Sequence, residues 1–570
     1  MKNTYLKYIG MLVVGILFFN CQDLDRPEFS DFLYDGPVIT LSSPSPEGST
    51  IISSVEEVAP ITISFQVEDD LGIANITVDL DGQEILNINE FSDNKLFNID
   101  DLTQDVSTGS HTLTITATDI DDVVVTETTT FEKIEVPPYT PMFDGEMFYM
   151  AFDGNYSEAI SGSDATAVGS PGFDTGVVGQ AYKGGADSHL TFPSAGLLGN
   201  EFSATFWLKI DASDTRAGII NIAPADPSSP SDKPSGFGLI REGSETSQKF
   251  ILLVGNGTNA TWINPGDPAT IDPTEDQWVH FGISISETNA ALYMNGELVG
   301  ESDFPGIDWT GVEDLVIMSG DPNFSGWSHK TEKGQIDELR IFNKALTKNE
   351  IQAVVLKDQA VFSMDFNTGY QDGVSGNDAT AVGAPGFDTG VVGQAYKGAA
   401  DSYLTFPSAG LLGNEFSATF WLKIDASDTR AGIINIAPAD PSSPSDKPSG
   451  FGLIREGSET SQKFILLVGN GTNATWINPG DPATIDPTED QWVHFGISIS
   501  ETNAALYMNG ALVGESDFPG IDWTGVGDLV IMSGNPNFSG WSHKTEKGQM
   551  DELYIYNKAL TPEEIQALMD

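Results

Sequence analysis

Cysteine is all but missing: Cys21 is the single one in 570 residues, so no disulfide can close within the chain. Histidine is nearly as rare, with six in all, and no two stand at the spacing of an H-x-x-x-H metal helix. Basic residues number 26 against 83 acidic ones, a net charge of −57. Phosphate binding needs a basic surface, so this balance argues against nucleic acid as a partner. The acid is dispersed rather than gathered into one run, as on a solvated surface suited to salty surroundings. One apolar run stands out, IGMLVVGILFF from Ile9 to Phe19, and it is too short to span a bilayer comfortably. Disorder is argued against from the other side, because 39% hydrophobic and 10% aromatic residues suffice to build cores. The length suits about three or four domains.

The apolar run follows Lys2 and Lys7 and reads as the central region of a signal peptide, residues 1–20. Ending at Leu17-Phe18-Phe19-Asn20-Cys21, it resembles a bacterial lipoprotein signal, in which the cysteine is lipidated and becomes the new N-terminus. Asn20 departs from the small residue usual before such a cysteine, and an ordinary secretory signal with a chance cysteine is the alternative. The following Gln22-Asp23-Leu24-Asp25 resembles the surface-export signals of Bacteroidetes lipoproteins. The resemblance implies a lipid-anchored protein at the cell surface of the outer membrane, with residues 21–36 as a tether.

Beyond the tether, Ile61–Val67, Ile73–Gly82 and His111–Asp119 alternate apolar and polar residues with the period of strands, separated by turn clusters. Residues 37–136 thus resemble a bacterial Ig-like or PKD-like sandwich of the kind that serves as a stalk. VPPYTP, Val136–Pro141, reads as a stiff extended linker.

The rest of the chain says everything twice. Trp207 falls on Trp421, an offset of 214 residues, and this offset runs without a gap from Ser161 to Leu346 with about ten substitutions. A unit that long is a duplicated domain, not a solenoid repeat of roughly 20–50 residues. Phe202–Ile210, Lys249–Gly255, Gln277–Ile285 and Asp314–Gly320 read as short strands bounded by Gly, Pro, Asn and Asp. Ala291–Gly300 reads as a hairpin turning at Asn295-Gly296. A short helix closes each unit, opened by the capping boxes Thr347–Glu350 and Thr561–Glu564. The order SGSDATAVG, FSATFWLKI, QWVHFGISI, LYMNGELVG and GQIDELRIFNKAL resembles the laminin-G-like, concanavalin A-like lectin/glucanase domain, and it recurs in residues 375–568. The expected fold class is therefore all-β: an Ig-like sandwich followed by two concanavalin A-like jelly rolls, residues 145–357 and 359–570.

That fold carries both glycoside hydrolases and sugar-binding modules, so function rests on the site. A retaining glycosidase needs two carboxylates about 5.5 Å apart. The E-x-D-x-(x)-E strand of the related hydrolases is not found in this sequence, and Asp337-Glu338 are adjacent, which on a regular strand points them to opposite faces. No catalytic residues are expected. Binding has positive signals. Trp262, Trp309 and Trp327, with Trp476, Trp523 and Trp541 in the second copy, sit in loops rich in Gly, Pro and Asn. Flat indoles pack on the C–H faces of sugar rings, while Asn256, His329, Asn470 and His543 are candidates to hydrogen-bond the hydroxyls. The alternative for each tryptophan is a lid folded back on the core. Trp278 and Trp492 look like core positions of the family, and Trp207 is expected to pack.

The resemblance also implies a structural Ca²⁺ ion, held by the acid of the final I-D-E strand and by groups near the first strand: Asp337 with Asp153, and Asp551 with Asn367. A strand end without metal is the alternative. The implied function is a non-catalytic polysaccharide-binding lipoprotein of a glycan-uptake system, partnered by an outer-membrane glycan transporter complex. Two equivalent sites would give avidity, with laminarin-like β-1,3-glucan the first ligand expected. A cell-surface adhesin for protein partners, or a divergent hydrolase, are the rival readings.

Overall fold

The computed structural model describes residues 36–45, 51–54, 58–135, 139–225, 235–439 and 449–569. The expected signal peptide, the tether up to residue 35 with Cys21, and residues 136–138 of the linker lie outside these. Among the described residues no helix is long and apolar enough to cross a membrane. The chain divides into two units, Met1–Pro137 and Pro138–Asp570.

In the first unit every strand expected from period 2 is present. Val38–Ser43, Val58–Glu68 and Leu96–Ser107 form one sheet. Ile51–Ser54, Val124–Glu135, Gly109–Asp119, Ile73–Leu80 and Gln83–Ile88, in that spatial order, form the other. Their alternating apolar residues, Ile61, Ile63, Phe65 and Val67 against Ile76, Val78, Ile115 and Ala117, meet in one buried core.

The second unit holds two sandwiches of the same design. In the first, one sheet runs in the order Gly172–Thr175, Gln180–Lys183, Gln335–Phe342, Phe202–Lys209, Val279–Ile285, Asn289–Met294 and Glu297–Asp303, and Glu146–Met150 pairs on Gln335–Phe342. The facing sheet runs Thr166–Val168, His189–Phe192, Leu315–Ile317, Arg216–Ile222, Phe237–Ser244, Ser247–Gly255 and Ala260–Ile263, with Thr270–Ile271 pairing on Ser247–Gly255. Phe206, Leu208, Phe281 and Ile283 of one sheet interdigitate with Ile220, Leu239, Phe250 and Leu252 of the other. The hairpin turns where expected: Asn295 and Gly296 take φ of 49° and 79°, the paired positive values that a type I′ turn demands.

Helix α1 (Lys348–Asp358) starts at a capping box, in which Thr347 Oγ1 accepts from Glu350 N and the Glu350 carboxylate accepts from Thr347 N. Its Ile351 lies on Gly282, where a Cβ would come within 2.9 Å of the isoleucine Cγ2. The helix therefore covers the outer face of the first-named sheet, which we call the helix-covered sheet; the other is the open sheet. Helix α2 (Pro562–Ala567) does the same in the second sandwich, with Ile565 on Gly496.

The sandwiches join through these helices. Asp358, at the end of α1, accepts from Trp207 Nε1 at 2.9 Å and pairs with Arg340 Nη1 at 3.3 Å on its own helix-covered sheet. The preceding Lys357 pairs with Glu552 at 2.9 Å on the corresponding sheet of the second sandwich. Leu356 and Ala360 pack with Tyr507, Tyr556, Leu560, Ile565 and Leu568.

Candidate functional site

Strand Ala260–Ile263 is an edge of the open sheet, with Trp262 opposite Leu253. Leu252 and Val254 point into the core, so Leu253 and Trp262 point out. Ala223, Ile240, Ile251 and Leu253 make a small apolar patch on this outer face, and the loop from Asp321 to Lys330 folds down over it. Gly238 lets that loop close: a Cβ there would lie 2.5 Å from Phe324 Cζ. Phe324 is buried, and Trp327 packs on it at 5.4 Å and stacks on Trp262 at 5.0 Å with an interplanar angle of 27°. Trp262 remains 47% exposed. The second copy repeats the pair: Trp476, 46% exposed, lies 5.0 Å from Trp541. Each open sheet thus carries a flat aromatic platform.

A polar border runs beside it. Lys249, Glu242 and Arg216 are direct cross-strand neighbours in a row. Glu242 accepts from Arg216 at 3.1 Å and from Lys249 at 3.2 Å, and Arg216 Nη1 donates to the Trp327 carbonyl at 3.2 Å. These three residues were not singled out from sequence, because the row exists only once strand register is known.

The other expected site residues divide. His329 stands behind Trp327 at 6.4 Å, 2% exposed, so it supports the platform and offers no surface to a ligand. Burial, and then the Arg216 charge, push its pKa down to about 4 and keep it neutral. His543 is buried in the same way, with its pKa near 4 as well. Trp309 is elsewhere: its Nε1 donates to Gly199 O at 2.8 Å and its ring meets Phe202 edge-on at 5.6 Å, closing the end of the core as a lid. Trp523 repeats this on Gly413 O and Phe416. Asn256 spends its Oδ1 on the amides of Thr258 and Asn259, a side-chain turn within its own loop, and Asn470 copies it. Trp207 packs under α1 as expected. Trp278, expected in the core, is half-buried with Lys209 Nζ 5.5 Å over its ring, because its strand begins one residue later, at Val279. Trp492 is likewise half-buried, under Lys423.

The adjacent carboxylates do not straddle their sheet. Ile336 and Leu339 both enter the core with only Asp337 and Glu338 between them, and Glu338 takes a φ of 53°. A β-bulge therefore turns both acids off the core side, overriding strict alternation. Both are buried and engaged: Asp337 Oδ2 accepts from Val177 N at 2.7 Å and Val178 N at 3.1 Å, while Glu338 pairs with Arg340 at 2.7 Å and accepts from Tyr149 Oη.

Asp153 reaches the same turn as Asp337, accepting from Gln180 N at 2.6 Å. Burial first, then the charges of Asp358 and Asp153, push the Asp337 carboxyl up to about 7. Two carboxylates on one turn fit a hard cation in charge. Its further oxygens would come from backbone carbonyls, uncharged side chains and water, since no three His, Cys, Asp or Glu cluster for a metal among the described residues. In the second copy Asn367 Oδ1 accepts the equivalent bond from Gln394 N at 2.7 Å, so the hydrogen bond persists while half the charge is gone. Asp551 there is also raised to about 7.

Two-sheet sandwiches with a helix on one outer face and an aromatic platform on the other define a tandem of lectin-like β-domains. The chain belongs to the concanavalin A-like lectin/glucanases superfamily, whose laminin-G-type family model matches residues 183–352 and 397–566. No curated protein matches the chain. Similar solved structures include domain 4 of AbnA, a GH43 extracellular arabinanase from Geobacillus stearothermophilus, in complex with arabinotriose. It is 20% identical over 37% of this chain and 98% of that one, with a TM-score of 0.30. Mouse laminin α1 chain domains LG4-5 are 12% identical over 74% and 96%, TM-score 0.22. The binding domain of botulinum neurotoxin DC in complex with rat synaptotagmin II is 12% identical over 73% and 95%, TM-score 0.29. Likenesses at these scores decide nothing about the ligand of this chain.

Proposed function

We propose that this protein is a non-catalytic, cell-surface polysaccharide-binding lipoprotein, holding glycan on the Trp262–Trp327 and Trp476–Trp541 platforms. The observation that carries the reading is the half-exposed indole stacked on a second one, repeated in both copies. A flat indole face fits the C–H face of a pyranose, and Arg216, Lys249 and Glu242 beside it supply donors and acceptors for hydroxyls. Binding without cleavage agrees with the burial of Asp337 and Glu338, whose oxygens are engaged by backbone amides, Arg340 and Tyr149. Cys21 would be the lipid anchor in the outer membrane, and residues 37–136 the Ig-like stalk. A glycan transporter complex would be the partner that takes over the captured chain. β-1,3-Glucan of the laminarin type is the first ligand to try. Ca²⁺, held by Asp153 and Asp337, would brace the turn between two strands of the first sandwich, far from any chemistry.

Titration calorimetry of the purified chain against laminarin, barley β-glucan and alginate, with and without EDTA, tests this. Saturable binding to one of them, weakened at least tenfold when Trp262→Ala and Trp476→Ala are combined, is expected. Flat traces across the panel would remove the glycan reading and leave an adhesin for protein partners in its place.

A further inference from the structure

We infer that the two platforms engage two separate glycan strands, so that the protein cross-bridges polysaccharide instead of gripping one strand twice. This rests on the platform reading above and concerns where the platforms point. Each lies on the outer face of an open sheet. The outer faces of the two helix-covered sheets, in contrast, meet at the junction. Consecutive residues of α1 clamp equivalent places on the two sheets: Asp358 holds Arg340 of the first, and Lys357 holds Glu552 beside Tyr554 of the second. Arg340 and Tyr554 are the same position of the repeat. The layers therefore run open sheet, helix-covered sheet, helices, helix-covered sheet, open sheet, and the platforms face outward from opposite ends of that stack.

With sheets about 10 Å apart and a helix layer about 10–12 Å thick, the open sheets stand roughly 40 Å apart through protein. A strand serving both platforms would have to wind around a whole sandwich. Swinging the platforms to one side is opposed by the junction. Only Gln359, Ala360 and Val361 separate α1 from the strand Phe362–Met364, and Arg340 is buried among Glu338, Asp358 and Glu146. Avidity on one strand vanishes where geometry forbids simultaneous engagement. Two outward sites instead make each protein a node between strands, which replaces the avidity expected from sequence.

The test uses the full chain with whichever of laminarin, barley β-glucan and alginate binds, beside a hexasaccharide of the same linkage. Calorimetry should give two sites per chain, with polymer affinity per site within about threefold of the hexasaccharide's. Dynamic light scattering should show the polymer growing into clusters near one protein per two strands. Trp262→Ala and Trp476→Ala, taken singly, should each halve the number of sites, leave the remaining affinity unchanged and abolish clustering. The remaining site in each variant reports that the protein is still folded. A single substitution that lowers polymer affinity about 10²-fold while leaving the hexasaccharide affinity at the surviving site intact would mean one strand spans both sites. That outcome overturns bridging and leaves the binding function standing. Binding to none of the three polymers overturns both.

Discussion

Trp262, on an edge strand, and Trp309, in a loop, stand in sequence stretches of the same composition, and replacing each by alanine should separate a ligand surface from a lid. Trp309 is half-buried, makes edge contacts with Phe202 and Phe237, and donates to Gly199 O. Truncating a buried tryptophan costs about 3–5 kcal/mol. Partial burial brings that to about 2–3, and the stranded Gly199 carbonyl adds about 1, so Trp309→Ala should cost roughly 3–4 kcal/mol. A domain of this size loses about 2–4 °C per kcal/mol, which makes the drop in Tm about 6–16 °C. Trp262 is 47% exposed and loses chiefly its stack on Trp327, worth about 0.5–1.5 kcal/mol, so Trp262→Ala should lower Tm by about 1–6 °C. Differential scanning calorimetry reads the first quantity and glycan titration well below the transition reads the second. Trp309→Ala should keep the glycan Kd within about twofold, while Trp262→Ala empties its site. If Trp309→Ala abolished binding with Tm unchanged, or Trp262→Ala left binding intact, the division into platform and lid would be wrong.

In the first unit, burial alone would lower the pKa of His111, but its bonds to Asp81 and to the Ser107 carbonyl prevail and raise it, and Asp81 is lowered in return. The His111 contribution is full below the ordinary histidine pKa and lost as pH rises through the raised value. The Asp81 contribution is lost as pH falls through its depressed value, so the stabilisation peaks in mildly acid solution and is absent in His111→Ala melts across pH. Calcium should raise the Tm of the first sandwich and EDTA should lower it. The second sandwich, with Asn367, should respond less, and Asp153→Asn should equalise the two. Gly238→Ala would drive a Cβ into Phe324 and cost about 1–3 kcal/mol. Because Phe324 supports Trp327, the near-UV circular dichroism of the stacked indoles should fall with it.

Much of the fold was written in local chemistry. The 214-residue offset, the Asn295-Gly296 turn and the Thr347–Glu350 box each depend on residues close in the chain or copied whole, and each appears as expected. The site was half legible. Turn-rich composition pointed to Trp262 and Trp327, which the structure stacks on each other, but composition cannot tell Trp262 from Trp309, since the difference is a bond from Trp309 to Gly199, 110 residues away. The bulge at Glu338 was invisible to a rule of strict alternation, and the Lys249–Glu242–Arg216 row needed strand register to exist. Some of what failed to show was long-range, and some was local backbone geometry, such as the Glu338 bulge and the Asn256 side-chain turn.

The two copies are not equivalent at their junction, because Leu356 and Lys357 of α1 reach across to the helix-covered sheet of the other sandwich. The exchange of Arg340 for Tyr554 follows from this. At the first position the guanidinium offsets Glu338, Asp358 and Glu146, and its aromatic neighbour Tyr149 lies 4.4 Å beneath it. At the second, Lys357 from α1 already supplies the cation, 2.9 Å from Glu552 and 5.2 Å over the Tyr554 ring. An arginine there would set two like charges about 5 Å apart, a repulsion of roughly 3 kcal/mol at an effective dielectric near 20, reduced by Glu552. Tyr554→Arg should therefore destabilise the second unit by about 1–3 kcal/mol, and Lys357→Ala in the same chain should recover most of the loss. Arg340→Tyr, which strands buried carboxylates, should cost about 3–5 kcal/mol with no rescue from Lys357→Ala. Urea melts of the parent chain, Lys357→Ala, Tyr554→Arg and the two combined form a double-mutant cycle. Coupling between positions 357 and 554 near zero would show that the exchange is drift and not an adaptation to the junction.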